Sequence, residues 1–221
     1  PMAKAADYHL YCAAGVEESV AATKSFTTEM AIMAMLAGEW SGNSQLLEGL
    51  KRVPDAVEEF LQTLPAQLDK LVPRYRYMTE GFTLARGMSY PVALEAALKI
   101  QETNYIKMKG YATSDFYHGP LAQIDKDTPV ILFAAQGPAF DGAKEMVEKL
   151  EGIGAEVIVV SDDVDYAAAS PFGFAVPNLG CDCFAPFFFA VFAQLFACKL
   201  AVTRGHNPDA PRLLKKVTVT R

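Results

Sequence analysis

Cysteine, histidine and tryptophan are scarce in this sequence: four, three and one among 221 residues. The thiols are Cys12, Cys181, Cys183 and Cys198, and no second Cys or His pair stands at ligand spacing from the Cys181-x-Cys183 step. That excludes the usual zinc patterns, so no metal is expected, and the thiols read as buried and free in a reducing cytoplasm. Positive charge is also short. Twenty Lys and Arg face 26 Asp and Glu, a net charge of -6, which speaks against a nonspecific nucleic-acid surface. A phosphorylated small molecule stays open, because a pocket needs only local donors. Long uninterrupted apolar runs are missing too. The longest, residues 184–197, is broken by Pro186 and Gln194 and falls short of a bilayer span, so no membrane is expected. Residues 1–7 carry no apolar core of a signal peptide. What is abundant is core material: 51% hydrophobic residues, with 14 Phe and nine Tyr, excludes a disordered chain.

Period and punctuation give an alternation of strands and helices. Strands are expected over 81–86, 129–135, 156–161 and 172–176, with helices over 91–107, 141–152 and 185–202. The 129–135 and 156–161 runs are apolar throughout, as in strands covered on both faces of a parallel sheet. The expected fold is α/β, a three-layer αβα sandwich with a parallel sheet. A weak repeat accompanies it. Residues 8–12 read as a strand leading through Gly15 into an apolar helix that stops near Gly38, much as residues 172–176 lead through Gly180 into one that stops near Gly205. Residues 1–42 are thus expected to be the closing piece of a preceding domain. Residues 43–78 form a charged helical connector broken by Pro54, Pro65 and Pro73, 79–205 a complete domain, and 206–221 a tail.

Several clusters could carry chemistry. Glu95, Lys99 and Glu102 fall at i, i+4 and i+7, on one face of the 91–107 helix. A carboxylate beside an ammonium can move a proton between neighbouring carbons while the cation steadies oxyanion charge. The same spacing also describes an ordinary helix ion pair. His118 precedes Gly119-Pro120 at a loop-to-helix junction, where a histidine can be structural or can face a pocket. Residues 19–25 enter a helix N-terminus whose amides and hydroxyls, Thr23 among them, could receive an anion or sugar hydroxyls. A simple N-cap at Ser19 or Thr23 would use the same groups. Residues 213–218 read as a solvated tail.

Four segments together resemble the SIS (sugar isomerase) family, in order and in spacing: VAATKSFTTEM at 20–30, YPVALEAALKIQE at 90–102, YATSDFYHGPLAQID at 111–125 and DAPRLLKKVT at 209–218. The resemblance implies paired αβα domains, commonly dimeric, that bind a hexose 6-phosphate without metal or cofactor. Isomerase members open the sugar ring and shift a proton between C1 and C2. By motif match, Glu102 corresponds to the proton-shuttling carboxylate and Lys99 to its helix neighbour. His118 corresponds to the ring-opening group, contributed across a homodimer interface. Lys216 corresponds to the lysine near the sugar carbonyl, and Val20 to a backbone ligand of the sugar. Ala22 stands where amino-sugar-forming members commonly have Ser. The ending from Asn207 onward resembles shorter, deaminase-like members. The family's Ser/Thr-rich phosphate cradle is not in this sequence. The implied function is C1–C2 isomerisation of a hexose 6-phosphate, of the deaminase-like branch. The alternatives are the isomerase part of an amide-nitrogen-transferring enzyme, or a sugar-phosphate sensor without catalysis.

Overall fold

The computed structural model describes residues 2–216. Five strands, β1 (Glu80–Ala85), β2 (Lys107–Ala112), β3 (Pro129–Ala134), β4 (Glu156–Ser161) and β5 (Phe172–Ala175), form one wholly parallel sheet in the order β2-β1-β3-β4-β5. The helices are α1 (Met2–Ala5), α2 (Lys24–Ser41), α3 (Ser44–Leu71), α4 (Tyr90–Asn104), α5 (Thr113–Phe116), α6 (Phe140–Ile153), α7 (Val164–Ala169) and α8 (Ala185–Thr203). One face of the sheet is covered by α4 and α8, with α3 outside them. The other face is covered mainly by α6, with Phe116 of α5 and Tyr166 of α7. This is the expected three-layer sandwich.

Four strands and the three helices expected with them, α4, α6 and α8, lie within a few residues of their expected bounds, while α7 after β4 was not expected; buried parallel strands are written as unbroken apolar runs. Four expectations are corrected. First, residues 8–12 form no strand: they are coil, with Tyr8 93% and Tyr11 79% exposed. A strand-like pattern is realised only against a partner edge, and this segment has none. Second, the helix expected over 91–107 ends at Asn104, and Lys107 instead opens the edge strand β2, which the sequence reading missed. Its exposed lysines at 107 and 109 flank buried Met108, a polar pattern typical of protected edges. Third, Pro54 and Pro65 do not break the connector but lie inside α3. The buried stripe Val53, Phe60, Leu64 and Leu68 packs on α8, with Phe60 edge-on to Phe188, and packing outweighs the two lost backbone bonds. Fourth, the cysteines are free, but none is fully buried, and Cys181 is exposed.

The apolar run continues to Thr203, giving a 19-residue helix of mean hydropathy 1.8. By length and composition α8 could therefore cross a membrane, and interruption by Pro186 and Gln194 does not exclude it. What accounts for its composition is position. Two thirds of it is buried between α3, α4 and the sheet.

The close seating of α4 fixes the site described below. Thr83 in β1 donates its hydroxyl to the Ala93 carbonyl at 2.6 Å in the core. In β2, a Cβ at Gly110 would come within 2.8 Å of the same carbonyl oxygen. At the far end of α4, the Asn104 amide donates to the Ala197 carbonyl of α8 at 2.9 Å. Replacing Gly110 with Ala is expected to destabilise the fold by about 1–3 kcal/mol through overpacking against backbone. Gly152→Ala, in a helical position with open space around it, is expected to stabilise slightly. Urea unfolding of the two variants checks both signs, and equal stabilities would contradict the seating.

Candidate active site

The Glu95, Lys99 and Glu102 row lies on the side of α4 away from solvent, not on a solvated face. Glu95 and Lys99 are only 6% and 4% exposed, and Glu102 is half-buried. The Lys99 ammonium donates to Glu102 Oε2 at 2.5 Å. An ordinary exposed ion pair would cost nothing to expose and contribute little. Here an ammonium is held out of water, which is tolerated only because a carboxylate partner sits on it. Burial pushes the Glu95 carboxyl above its ordinary range. Lys99 and a hydrogen bond from Gln194 oppose that shift, and Glu102 adds to it.

The second wall is the 19–25 loop that leads into α2. Its donors are already engaged: the Thr23 and Ser25 amides donate to Glu17 Oε2 at 3.2 and 3.0 Å, and the Ser25 hydroxyl donates to it at 2.7 Å. The anion expected at this helix N-terminus is therefore the chain's own Glu17. Thr23 occupies the N-cap position without a side-chain cap bond. Gln194 of α8 joins loop to row, donating to the Thr23 carbonyl at 3.2 Å and to Glu95 Oε1 at 3.1 Å. Val20 and Ala22 are half-buried in the same loop.

Lys216 arrives from the C-terminal tail. Its ammonium donates to the Ser19 carbonyl at 2.5 Å, and its charge also acts on Glu17. The tail is steered there from the end of α4, where Tyr105 caps the helix at φ 61°. Its hydroxyl accepts from the Arg212 amide at 2.9 Å, the Arg212 guanidinium lies 4.0 Å over its ring, and His206 packs on it at 4.8 Å. Lys99 and Glu102 form one bonded pair, and Glu95, Gln194, the loop and Lys216 form a second bonded set, with the charges of Lys99 and Glu102 acting on Glu95 between them. Glu17, Gln194 and Tyr105 are members that sequence reasoning missed. Gln194 alone carried a visible signal, as the single amide in an apolar run.

His118 does not join them. It is exposed, in the turn after β2 and α5, beside Tyr117, whose ring faces Lys149 of α6. Glu102 lies in the last turn of α4, before β2 begins, and on the other face of the sheet. A six-residue strand separates the two levels by about 20 Å. A groove of about 560 Å³ between α2, α3 and α8, lined by Thr27, Ala31, Met35, Val53 and Phe187 among others, holds none of the candidate residues.

Burial opposes ionisation of Glu17, yet the bonds from Ser25 and Thr23 and the charge of Lys216 hold its carboxyl below the ordinary value of 4.5. The group has a depressed folded value, so its stabilisation is present above the ordinary value and lost as pH falls through the folded one. The Ser25 amide resonance is expected to titrate with a midpoint below 4.5 and to lose that transition in Glu17→Gln. A midpoint above 4.5 would contradict the geometry.

Residues 81–204 match the SIS domain family. The chain is 36% identical over 220 residues to the glutamine–fructose-6-phosphate aminotransferase [isomerizing] of Pyrococcus horikoshii, covering 97% of this chain and 36% of that protein. It therefore spans about a third of the length of the curated relatives it matches. Among solved structures, the C-terminal domain of glucosamine-fructose-6-phosphate aminotransferase from Francisella tularensis is similar with a TM-score of 0.79 at 27% identity, over 89% of this chain and 58% of that one. Glucosamine-6-phosphate deaminase from Thermotoga maritima gives 0.72 at 26% identity, over 93% and 59%. The chain belongs to the SIS domain family.

Proposed function

We propose that this chain supplies the proton-transfer site of a phosphosugar isomerase acting on a hexose 6-phosphate. The observation that carries the reading is the pair of buried Lys99 and half-buried Glu102, whose charges act on Glu95, which Gln194 in turn ties to a loop on which the Lys216 ammonium rests. Burying such a set serves stability poorly; it suits chemistry that needs a base and a cation a few ångströms apart. Glu102 takes the proton from C2 of the open-chain aldose, and the C–H electron pair becomes the C1=C2 bond of an enediol. The carbonyl oxygen gathers negative charge beside Lys216, and Lys99 holds Glu102 in place. The O2 hydroxyl proton passes to O1, and Glu102 then returns its proton to C1 as the C1=C2 pair forms the new C1–H bond and O2 closes the C2 carbonyl, giving the ketose. No redox partner enters, and atoms balance within the sugar. The Val20 backbone, Ala22 and Thr23 line the sugar's approach.

His118 opens the ring from a second subunit of a homodimer. Support for this comes from its distance: within one chain it stands at the opposite end of β2 from Glu102. Residues 1–42 end a preceding SIS unit, in keeping with the exposed Met33, Met35 and Trp40 on α2. The same enolisation interconverts a 2-amino aldose with a 2-imino ketose, from which water releases ammonia. The ending from Asn207 and the alanine at position 22 favour this deaminase-like branch, with the enzyme in the cytoplasm. The 36% identity to aminotransferases favours the second reading, in which delivered ammonia is captured. Ammonia release from glucosamine 6-phosphate separates the two.

In the full-length enzyme, Glu102→Gln is expected to leave hexose 6-phosphate binding within a few-fold while lowering turnover by about two to four orders of magnitude, the usual weight of general acid-base catalysis. Calorimetric binding measured alongside initial rates checks it. Turnover at the native rate would return Glu102 to the role of a helix ion-pair residue and favour a binding-only sensor.

A further inference from the structure

From residue 185 to residue 197, α8 contains one side chain able to donate a conventional hydrogen bond, Gln194, among Phe, Ala, Leu, Val and Pro. An amide in such a helix is costly unless satisfied. Its NH₂ group uses both protons on two different elements: the Thr23 carbonyl at 3.2 Å and Glu95 Oε1 at 3.1 Å. Both partners accept, so the amide orientation follows from the network, since its carbonyl oxygen could serve neither. A Met in this place would match the shape without the donors and keep the helix apolar. What the Gln adds is two bonds to groups outside its own helix.

The two partners have distinct places in the site. Thr23 belongs to the loop between Lys216 and α2; Glu95 is one helical turn from Lys99 on α4. Around Glu95, the charged groups are Lys99 and Glu102 on its own helix. From α8 it meets the Gln194 amide, and the 19–25 loop reaches it through that amide. Resting on the function proposed above, we propose that Gln194 is the positioning residue of this site, a clamp that holds the sugar-facing loop at one spacing from the α4 row and steadies the ionised form of Glu95. Two sides of the site that belong to separate segments are thereby set by one carboxamide. A ligand that shifts the loop backbone pulls on the same amide that is bonded to Glu95.

The test is Gln194→Met, with Gln194→Glu as the second variant should the first be poorly folded. Read on this chain by carbon-13 NMR, the Glu95 carboxyl midpoint is expected to move up by about one pH unit on losing a donor to its charged form. Amide exchange at residues 20–23 is expected to speed up by roughly tenfold, and the thermal midpoint to fall, as the Glu95 carboxylate and the Thr23 carbonyl lose their donor. In the full-length enzyme with fructose 6-phosphate as probe, exchange of the C1 proton with deuterated solvent is expected to slow by about tenfold or more. Its acid limb should move in the same direction as the Glu95 midpoint. A residue that serves only stability would change the thermal midpoint and leave the pH profile where it was. If Glu95 and the loop do not respond to the substitution, the clamp is overturned whatever the activity. If they respond while the unsubstituted enzyme exchanges no proton, the clamp stands and the proposed function fails.

Discussion

Everything in the site depends on one constraint: a lysine ammonium buried at 4% exposure on α4. Helix α4 cannot swing outward to hydrate it. Its start is pinned to β1 by the Thr83–Ala93 bond, its flank rests on the bare backbone at Gly110, and its end is tied to α8 through Asn104. Lys99 must then find its counter-charge locally, and Glu102 one turn on provides it at 2.5 Å. Glu95, the other carboxylate near it, is left with a partial share of that cation and is pushed toward its neutral form by burial. The helix thus presents two carboxylates around one ammonium, Glu102 bonded to it and Glu95 acted on by its charge.

The loop and tail close on this helix through contacts that are individually small. Glu17 occupies the N-terminus of α2, where backbone amides and the positive end of the helix favour a carboxylate. That folds the 19–25 segment back so that the Ser19 and Thr23 carbonyls point to Lys216 and Gln194. Tyr105, in the left-handed conformation unusual for an aromatic residue, ends α4 and at once offers its ring and hydroxyl to the tail. Helix end and tail route are one feature.

The sandwich was legible because β3 and β4 are written as apolar runs and α6 as an amphipathic helix. Less legible was β2: Lys-Met-Lys-Gly-Tyr-Ala is an edge strand with one buried position in its first half, and it continued the helical pattern of α4 without a break residue. The prolines of α3 misled for a related reason. Local propensity opposed the helix, and the decisive apolar stripe acts only once α8 is present. At the site, the helical spacing of Glu95, Lys99 and Glu102 placed them on one face, but spacing could not say whether that face was wet. Burial by α8 and the loop answers that, and it depends on contacts between segments far apart in sequence. The links among Glu17, Gln194 and Tyr105 were illegible for the same reason.

If the charged row is kept for chemistry, its removal should not harm the fold. The direct measurement is the unfolding free energy of the triple variant Glu95→Met, Lys99→Met, Glu102→Met, in which all three charges leave together and the Gln194 amide keeps its bond to the Thr23 carbonyl while losing the one to Glu95. Stability equal to the native chain or higher by about 1–4 kcal/mol is expected, as for buried ion pairs replaced by apolar side chains. A loss of several kcal/mol in the triple variant would show that the row holds the structure together and would contradict its assignment to catalysis.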